Sequence, residues 1–217
     1  MLAICIRLIK FMARLLGGLA VLFVLAISGL WLWVSSELPT IESIVSRPMT
    51  ACPVAGRNQP IELLSLPGYL PRAFEVAKEP FSRTLAAISV GEAFPRDRTV
   101  WWQARHFVQE GRIKMTLTND QILEAALNQV YFGNDAFGLN CAAYRYFEKP
   151  ASKLTISEAA LLAGLPKGPS NYNPVTKPDR ALERRNWIIA QLFQNGFISE
   201  LEAKEAASNP IATALTK

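Results

Sequence analysis

The side chains best equipped for chemistry lie between Lys78 and Lys114. Glu79, Glu92 and Glu110 are the candidate carboxylates there, and each could take a proton from an attacking hydroxyl if a cleft raised its pKa. Carboxylates are seldom buried without a partner, so solvent-exposed positions are expected for all three, Glu79 included as the residue before Pro80. Arg96, Arg98, Arg105, Arg112 and Lys114 stand against only Asp97 and Glu110 in the same region. That cationic surplus suits a pyrophosphate or an anionic lipid head group as well as it suits a charged helix face. His106 is the single histidine, and no Cys/His spacing matches a zinc site, so no metal ligand set is read. Trp101 and Trp102, with Val100 and Phe107, are expected to pack the core and rim of a small domain. The alternative is an apolar surface close to a membrane.

These residues come after a membrane anchor. Leu15 to Val34 carries no charge, which at 1.5 Å per residue is enough to cross a bilayer core of about 30 Å. Arg7, Lys10 and Arg14 precede it and Glu37 is the first acid after it, so the N-terminus is expected in the cytoplasm and the remainder outside. No A-x-A-like site follows, which favours an uncleaved anchor over a signal peptide. The expected layout is a cytoplasmic tail over 1–14, an anchor over 15–34, a proline-rich stalk over 35–67 and a helical domain over 68–217. The formal net charge is +5, and three of the basic residues precede the anchor, which leaves the rest close to balance. Such a domain, exported, is no nucleic-acid binder by charge. Cys52 and Cys141 would share an oxidising compartment and could pair. The preferred reading of Cys141, in G-L-N-C-A-A, is a small packed helix residue.

Helix starts are well marked. Thr118 with Gln121, Thr155 with Glu158 and Ser199 with Glu202 have capping-box spacing. Ile122, Leu123, Ala126, Leu127 and Val130 lie at helical spacing after the first, and Asn195-Gly196 ends the stripe of Leu182, Ile189, Leu192 and Phe193. No strand-like alternation of any length follows Pro71, and the fold class expected is all-α. Residues 164–178, with four prolines and Tyr172, form a loop longer than most, and loops of that length are usually functional or disordered.

The run I-L-E-A-A-L-N-Q-V-Y-F-G-N-D-A-F-G-L-N-C-A-A-Y-R-Y-F-E-K-P-A-S-K-L-T resembles the peptidoglycan glycosyltransferases, and the likeness continues through S-E-A-A-L-L-A-G-L-P, P-S-N-Y-N-P and R-A-L-E-R-R-N-W. It covers about half the chain, with several motifs in family order. The resemblance implies a lysozyme-like helical domain that polymerises lipid II into glycan strands at the bacterial inner membrane. It is nearest to the monofunctional anchored members, without a transpeptidase domain. Glu124 and Asn128 match the helix that supports the family's substrate cleft, and Arg184 and Arg185 match the helix that braces the domain. Ala126 stands where the family has Tyr, and Asn119 where it has Lys.

The family reaction joins a sugar 4-hydroxyl to C1 of the growing chain and expels a polyprenyl pyrophosphate, which calls for a base and for cations. The family draws the base from E-D-x-x-F-x-x-H and orients substrate with G-G-S-T-I-T-Q-Q. Counting from R-A-F, Lys78 falls at the catalytic Glu and Glu79 at the following Asp. Ser82 to Ile88 is a worn second motif that keeps Thr84. The third motif, R-K-x-x-E, falls near Trp102 to His106, and a slide of three residues restores Arg105 but supplies Gln109 for the Glu. By this carry-over Glu79 is the best remaining base, Thr84 a substrate contact, and Arg83, Arg98 and Arg105 face pyrophosphate. A divalent cation, Mg or Mn, would accompany activity. The expectation divides between a lipid II polymerase and a catalytically silent relative that binds lipid II, nascent glycan or a cell-wall synthase. Glycan hydrolysis lacks a convincing second carboxylate.

Overall fold

The structure is a computed structural model that describes residues 2–47, 52–54, 59–95 and 99–216. Among the described residues the architecture is all-α, with no strand beyond an isolated bridge between Tyr131 and Phe137. The elements are α1 (Leu2–Glu37), α2 (Ile41–Val45), α3 (Tyr69–Ala77), α4 (Phe81–Ala93), α5 (Val100–Thr116), α6 (Asn119–Gln129), α7 (Leu139–Phe147), α8 (Ile156–Gly164), α9 (Pro178–Gln194) and α10 (Glu200–Ser208). The three capping boxes form as the spacing requires, with Thr118, Thr155 and Ser199 each accepting from the backbone N–H three residues on. Thr99 caps α5 in the same way without a reciprocal acid. At the end of α9 the chain turns through Gly196 at φ 74°, and the N–H of Phe197 reaches back to Leu192 O.

Helix α8 is the centre of the core. Ala159, Ala160, Leu162 and Ala163 are fully buried, and their small side chains let α3 and α9 approach from two sides. A Cβ on Gly164 would lie 2.8 Å from Arg184 Cγ, so the α8–α9 crossing admits only glycine there. Arg185 is 1% exposed and spends its guanidinium on the far end of α10, donating to Ala207 O at 2.9 Å and Asn209 O at 2.6 Å. The loop over 164–178 is a packed series of turns, with Asn171 N–H and Tyr172 N–H both donating to Gly168 O.

The segment expected as a stalk is packed on the domain. Ile44 and Ile61 belong to the main core. Asn128 grips Ile61 on both sides, accepting its N–H at 2.8 Å and donating to its carbonyl at 3.1 Å. Glu124 accepts from Leu63 N–H at 2.9 Å, and Gln129 donates to Ile44 O at 2.8 Å. Prolines that break helices left backbone groups unpaired, and polar side chains of α6 pair with them. Cys141 is likewise corrected from a free packed residue: it is bonded to Cys52 across 89 residues, with Cα atoms 5.7 Å apart, and joins the same segment to α7.

Helix α1 holds one stretch, Leu16–Glu37, long and apolar enough to cross a membrane. Its C-terminal end is not free. Trp31 packs into a notch made by Gly111, and Val34 and Leu38 form a cluster with Val90 and Val108. Glu37 pairs with Arg105 at 3.0 Å, and Gln109 and Arg112 donate to Pro39 O. The two tryptophans of α5 divide: Trp102 packs against this cluster, while Trp101 is 51% exposed and edge-on to Trp33 at 5.8 Å.

Two outcomes test these contacts. Loss of the Cys52–Cys141 bond, by Cys52→Ser or by reductant, should lower stability by about 2–5 kcal/mol in a denaturant melt, because the closed loop is long. Gly111→Leu should cost about 1–3 kcal/mol by overpacking Trp31 and should speed protease cleavage within 38–47.

Candidate functional site

The turn between α3 and α4 is the site's centre. Helix α3 stops because Lys78 takes a left-handed conformation at φ 58°, and Pro80 then prevents any continuation. Glu79 lies between them. The structure overturns its expected exposure: the side chain is 13% exposed and pairs with Arg184 at 3.4 Å. Arg184, itself 8% exposed, also donates to Ala77 O at 3.0 Å, so it caps α3 and holds the Glu79 carboxylate with one nitrogen. Its guanidinium lies 4.6 Å over the Trp187 ring.

Three open cavities meet here, each lined in part by Pro80. One of about 590 Å³ presents Lys78, Glu79, Lys167, Arg184 and Trp187. One of about 540 Å³ presents Arg72, Glu75, Glu79, Lys114 and Asp120. One of about 920 Å³ runs between α4 and α5 past Arg83, Thr84, Trp102, His106 and Glu110. The groove is therefore lined by cations along its whole length, with carboxylates set among them.

The remaining sequence candidates fall into two groups. Arg83 is exposed in the groove, 3.9 Å from Glu110, and Thr84 beside it donates to Pro80 O at 3.3 Å. Glu110 accepts from Lys114 at 2.6 Å, and that hydrogen bond holds its carboxyl below the usual range. Burial, and then the Arg83 charge, lower the His106 pKa, and its ring lies 5.4 Å from that of Trp102. Glu92 is an exposed partner of Arg47 at 2.7 Å. The other group has no groove role. Arg105 pairs with Glu37 and lies 4.2 Å over Phe94, so it fixes the anchor instead of facing a ligand. Glu124 and Asn128 are occupied by the backbone of Ile61 and Leu63, and Arg185 by α10. Arg98 lies outside the described residues. The sequence reading missed Lys167 and Trp187. The length of the 164–178 loop pointed to the first, and nothing local pointed to the second.

Burial lifts the Glu79 carboxyl above its ordinary value of 4.5, against the pull of Arg184 and Lys167. A carboxyl raised on folding contributes stability that is complete below 4.5 and is lost as pH rises through the folded value. Glu79→Gln removes that titration. Its stability relative to the unsubstituted chain should therefore rise from about pH 4 to about pH 7 in paired denaturant melts, whereas a fully solvated carboxyl would give no trend.

Comparison with known proteins agrees with the fold and the motifs. The family model described as Transglycosylase matches residues 84–193. Penicillin-binding protein 1A of Pseudomonas aeruginosa is 45% identical over 100 residues, covering 46% of this chain and 12% of that protein. Penicillin-binding protein 1A of Escherichia coli is 37% identical over 115 residues, covering 53% and 14%. Penicillin-binding protein 1F of Bacillus subtilis is 35% identical over 121 residues, covering 56% and 17%. The crystal structure of penicillin-binding protein 1A from Haemophilus influenzae superposes on 72% of this chain and 18% of its own, with TM-score 0.51 and 30% identity. This chain thus spans less than a fifth of the length of these relatives. The family match begins beyond Lys78 and Glu79 and ends on α9 with its paired arginines. On that match across half its length, the chain belongs to the transglycosylase family, the peptidoglycan glycosyltransferases that its motifs resemble.

Proposed function

We propose that this chain acts in peptidoglycan assembly as a membrane-anchored protein that binds lipid II or nascent glycan in the groove around the α3–α4 turn, and regulates a cell-wall synthase without polymerising the saccharide itself. The carrying observation is the state of Glu79. It is the nearest carboxylate to the family's base position, where this chain has Lys78, and it is held by the buried Arg184 that also caps α3. A general base contributes about 10²–10⁴-fold to rate, and a carboxylate committed to bracing two helices is poorly placed to supply it. The exposed Arg83 and the adjacent Thr84 remain in the groove as substrate contacts.

The N-terminus lies in the cytoplasm, α1 crosses the inner membrane once, and the helical domain from about residue 68 stands outside it. Three cations before the span and the aromatic residues at its far end support that orientation. Val100, Trp101 and Phe107 are exposed beside that end of α1, and they support an apolar face of the domain that meets the bilayer. Among the described residues no three His, Cys, Asp or Glu side chains cluster to hold a metal. A Mg or Mn ion would arrive on the substrate's diphosphate.

One observation favours a second reading, in which the chain polymerises lipid II with Glu79 as base: burial raises that carboxyl, as a base at neutral pH requires. The full chain in detergent, given labelled lipid II and Mg, separates the two. Capture of lipid II without polymer on a gel, unchanged in Glu79→Gln, is the expected result. Polymer that disappears in Glu79→Gln would establish the polymerase instead.

A further inference from the structure

We infer that Lys78, Lys167 and Arg184, with the Trp187 ring, form a cationic subsite for an oxyanion carried on a sugar. This rests on the binding function proposed above and names the part of the ligand that the turn would hold. By the count from R-A-F, Lys78 stands at the family's base position, and the residues around it are arranged as a receptor for an anion would be.

Four features carry the inference. Lys78 and Lys167 are both exposed on the same cavity wall, and among the described residues neither forms an ion pair. The single carboxylate in that cavity, Glu79, already faces Arg184 and the field of Lys167, so positive charge is left over. Arg184 is more than nine-tenths buried, and its Nε is also buried and has no acceptor. Buried donors are normally paired; this one is enclosed by the core, so what Arg184 contributes to the cavity it lines is guanidinium charge that the single Glu79 contact leaves partly uncompensated. Lys78 occupies a left-handed backbone position, where Gly or Asn is the usual residue and a long side chain is strained. Retaining a lysine there places an ammonium at the cavity mouth at a cost to stability.

Trp187 supplies the other half of the recognition. Its ring is 40% exposed and is already polarised by the guanidinium at 4.6 Å. An exposed indole beside cations offers a flat apolar surface to a pyranose and charge-assisted hydrogen bonds to its anionic substituent. A cavity of about 590 Å³ is in the range of small-ligand sites. The oxyanion has two available sources, the diphosphate of a lipid-linked saccharide or a carboxylate on the saccharide itself.

Calorimetric titration of the full chain in detergent, with inorganic pyrophosphate in one arm and N-acetylmuramic acid in the other, distinguishes the sources. Saturable binding in either arm supports the subsite, and it should weaken as salt is raised. The double variant Lys78→Gln with Lys167→Gln should bind at least tenfold more weakly. Lys78→Gly should melt at the same or a higher temperature, because it relieves the strain, and still lose affinity, which separates binding from folding. Trp187→Leu should weaken the saccharide arm more than the pyrophosphate arm. No binding in either arm at millimolar ligand, or equal binding by the double variant, overturns the inference. Capture of lipid II by the double variant as well as by the unsubstituted chain overturns the subsite and leaves the binding function standing. Lysine-dependent pyrophosphate binding without lipid II capture does the reverse.

Discussion

Two adjacent arginines inside a helical core impose the constraint on which the rest depends. A buried guanidinium without acceptors costs several kcal/mol, so every element that supplies an acceptor to Arg184 or Arg185 must stay where it is. Arg185 fixes the end of α10 through Ala207 O and Asn209 O, and it touches the start of α8 through Ser157. Arg184 reaches the opposite way, across a close α8–α9 crossing, to the last carbonyl of α3 and to Glu79. One helix thus fixes the ends of two other helices, α10 and α3, and the position of the groove follows from the second of them.

A similar use of polar side chains extends the domain toward α1. Segments broken by proline cannot pair their own backbone, and Glu124, Asn128 and Gln129 on a single helix do so from outside. The disulfide joins the same segment to α7, and the Trp31 notch on Gly111 brings α1 against α5. The anchor and the helical domain are therefore joined by packing, hydrogen bonds and an ion pair between Glu37 and Arg105. A domain attached in this way holds its groove in a set position relative to the C-terminal end of α1, an arrangement a loose tether would not give.

The sequence disclosed those features whose cause is local. Capping boxes and the stripe on α6 depend on neighbours within a turn or two and are present as read, and the apolar run read over 15–34 falls within α1, whose apolar stretch is Leu16–Glu37. The all-α class follows from them. What escaped was set by partners far along the chain. Glu124 and Asn128 read as cleft residues because their acceptors and donors lie more than sixty residues away, on a segment that had seemed free. Arg105 read as a ligand contact because its partner, Glu37, sits at the end of the anchor. Cys141 had the composition of a packed helix residue, and only the position of Cys52 distinguishes that from a bond. A still longer separation, 105 residues, lies between Glu79 and Arg184, so the pair at the centre of the candidate site could not be read as one.

That pair also sets what chemistry the turn can do. A general base must exchange a proton with substrate as charge develops, which requires that its carboxylate be free to take a new partner. Glu79 is bonded to a guanidinium that has little other compensation in the core, so giving up that contact would leave a buried charge less well paired. Burial pushes the carboxyl up while Arg184 and Lys167 pull it down, and the two influences oppose each other at the same atoms. Burial is the stronger of the two, and the ion pair with Arg184 is what the folded structure shows for this carboxylate. Lys78 beside it is exposed on the same cavity wall, and an ammonium there favours holding an anion over removing a proton. The α3–α4 turn therefore holds a half-buried carboxylate tied to Arg184 with exposed lysines on the same cavity wall, and the binding role proposed for this groove rests on that arrangement.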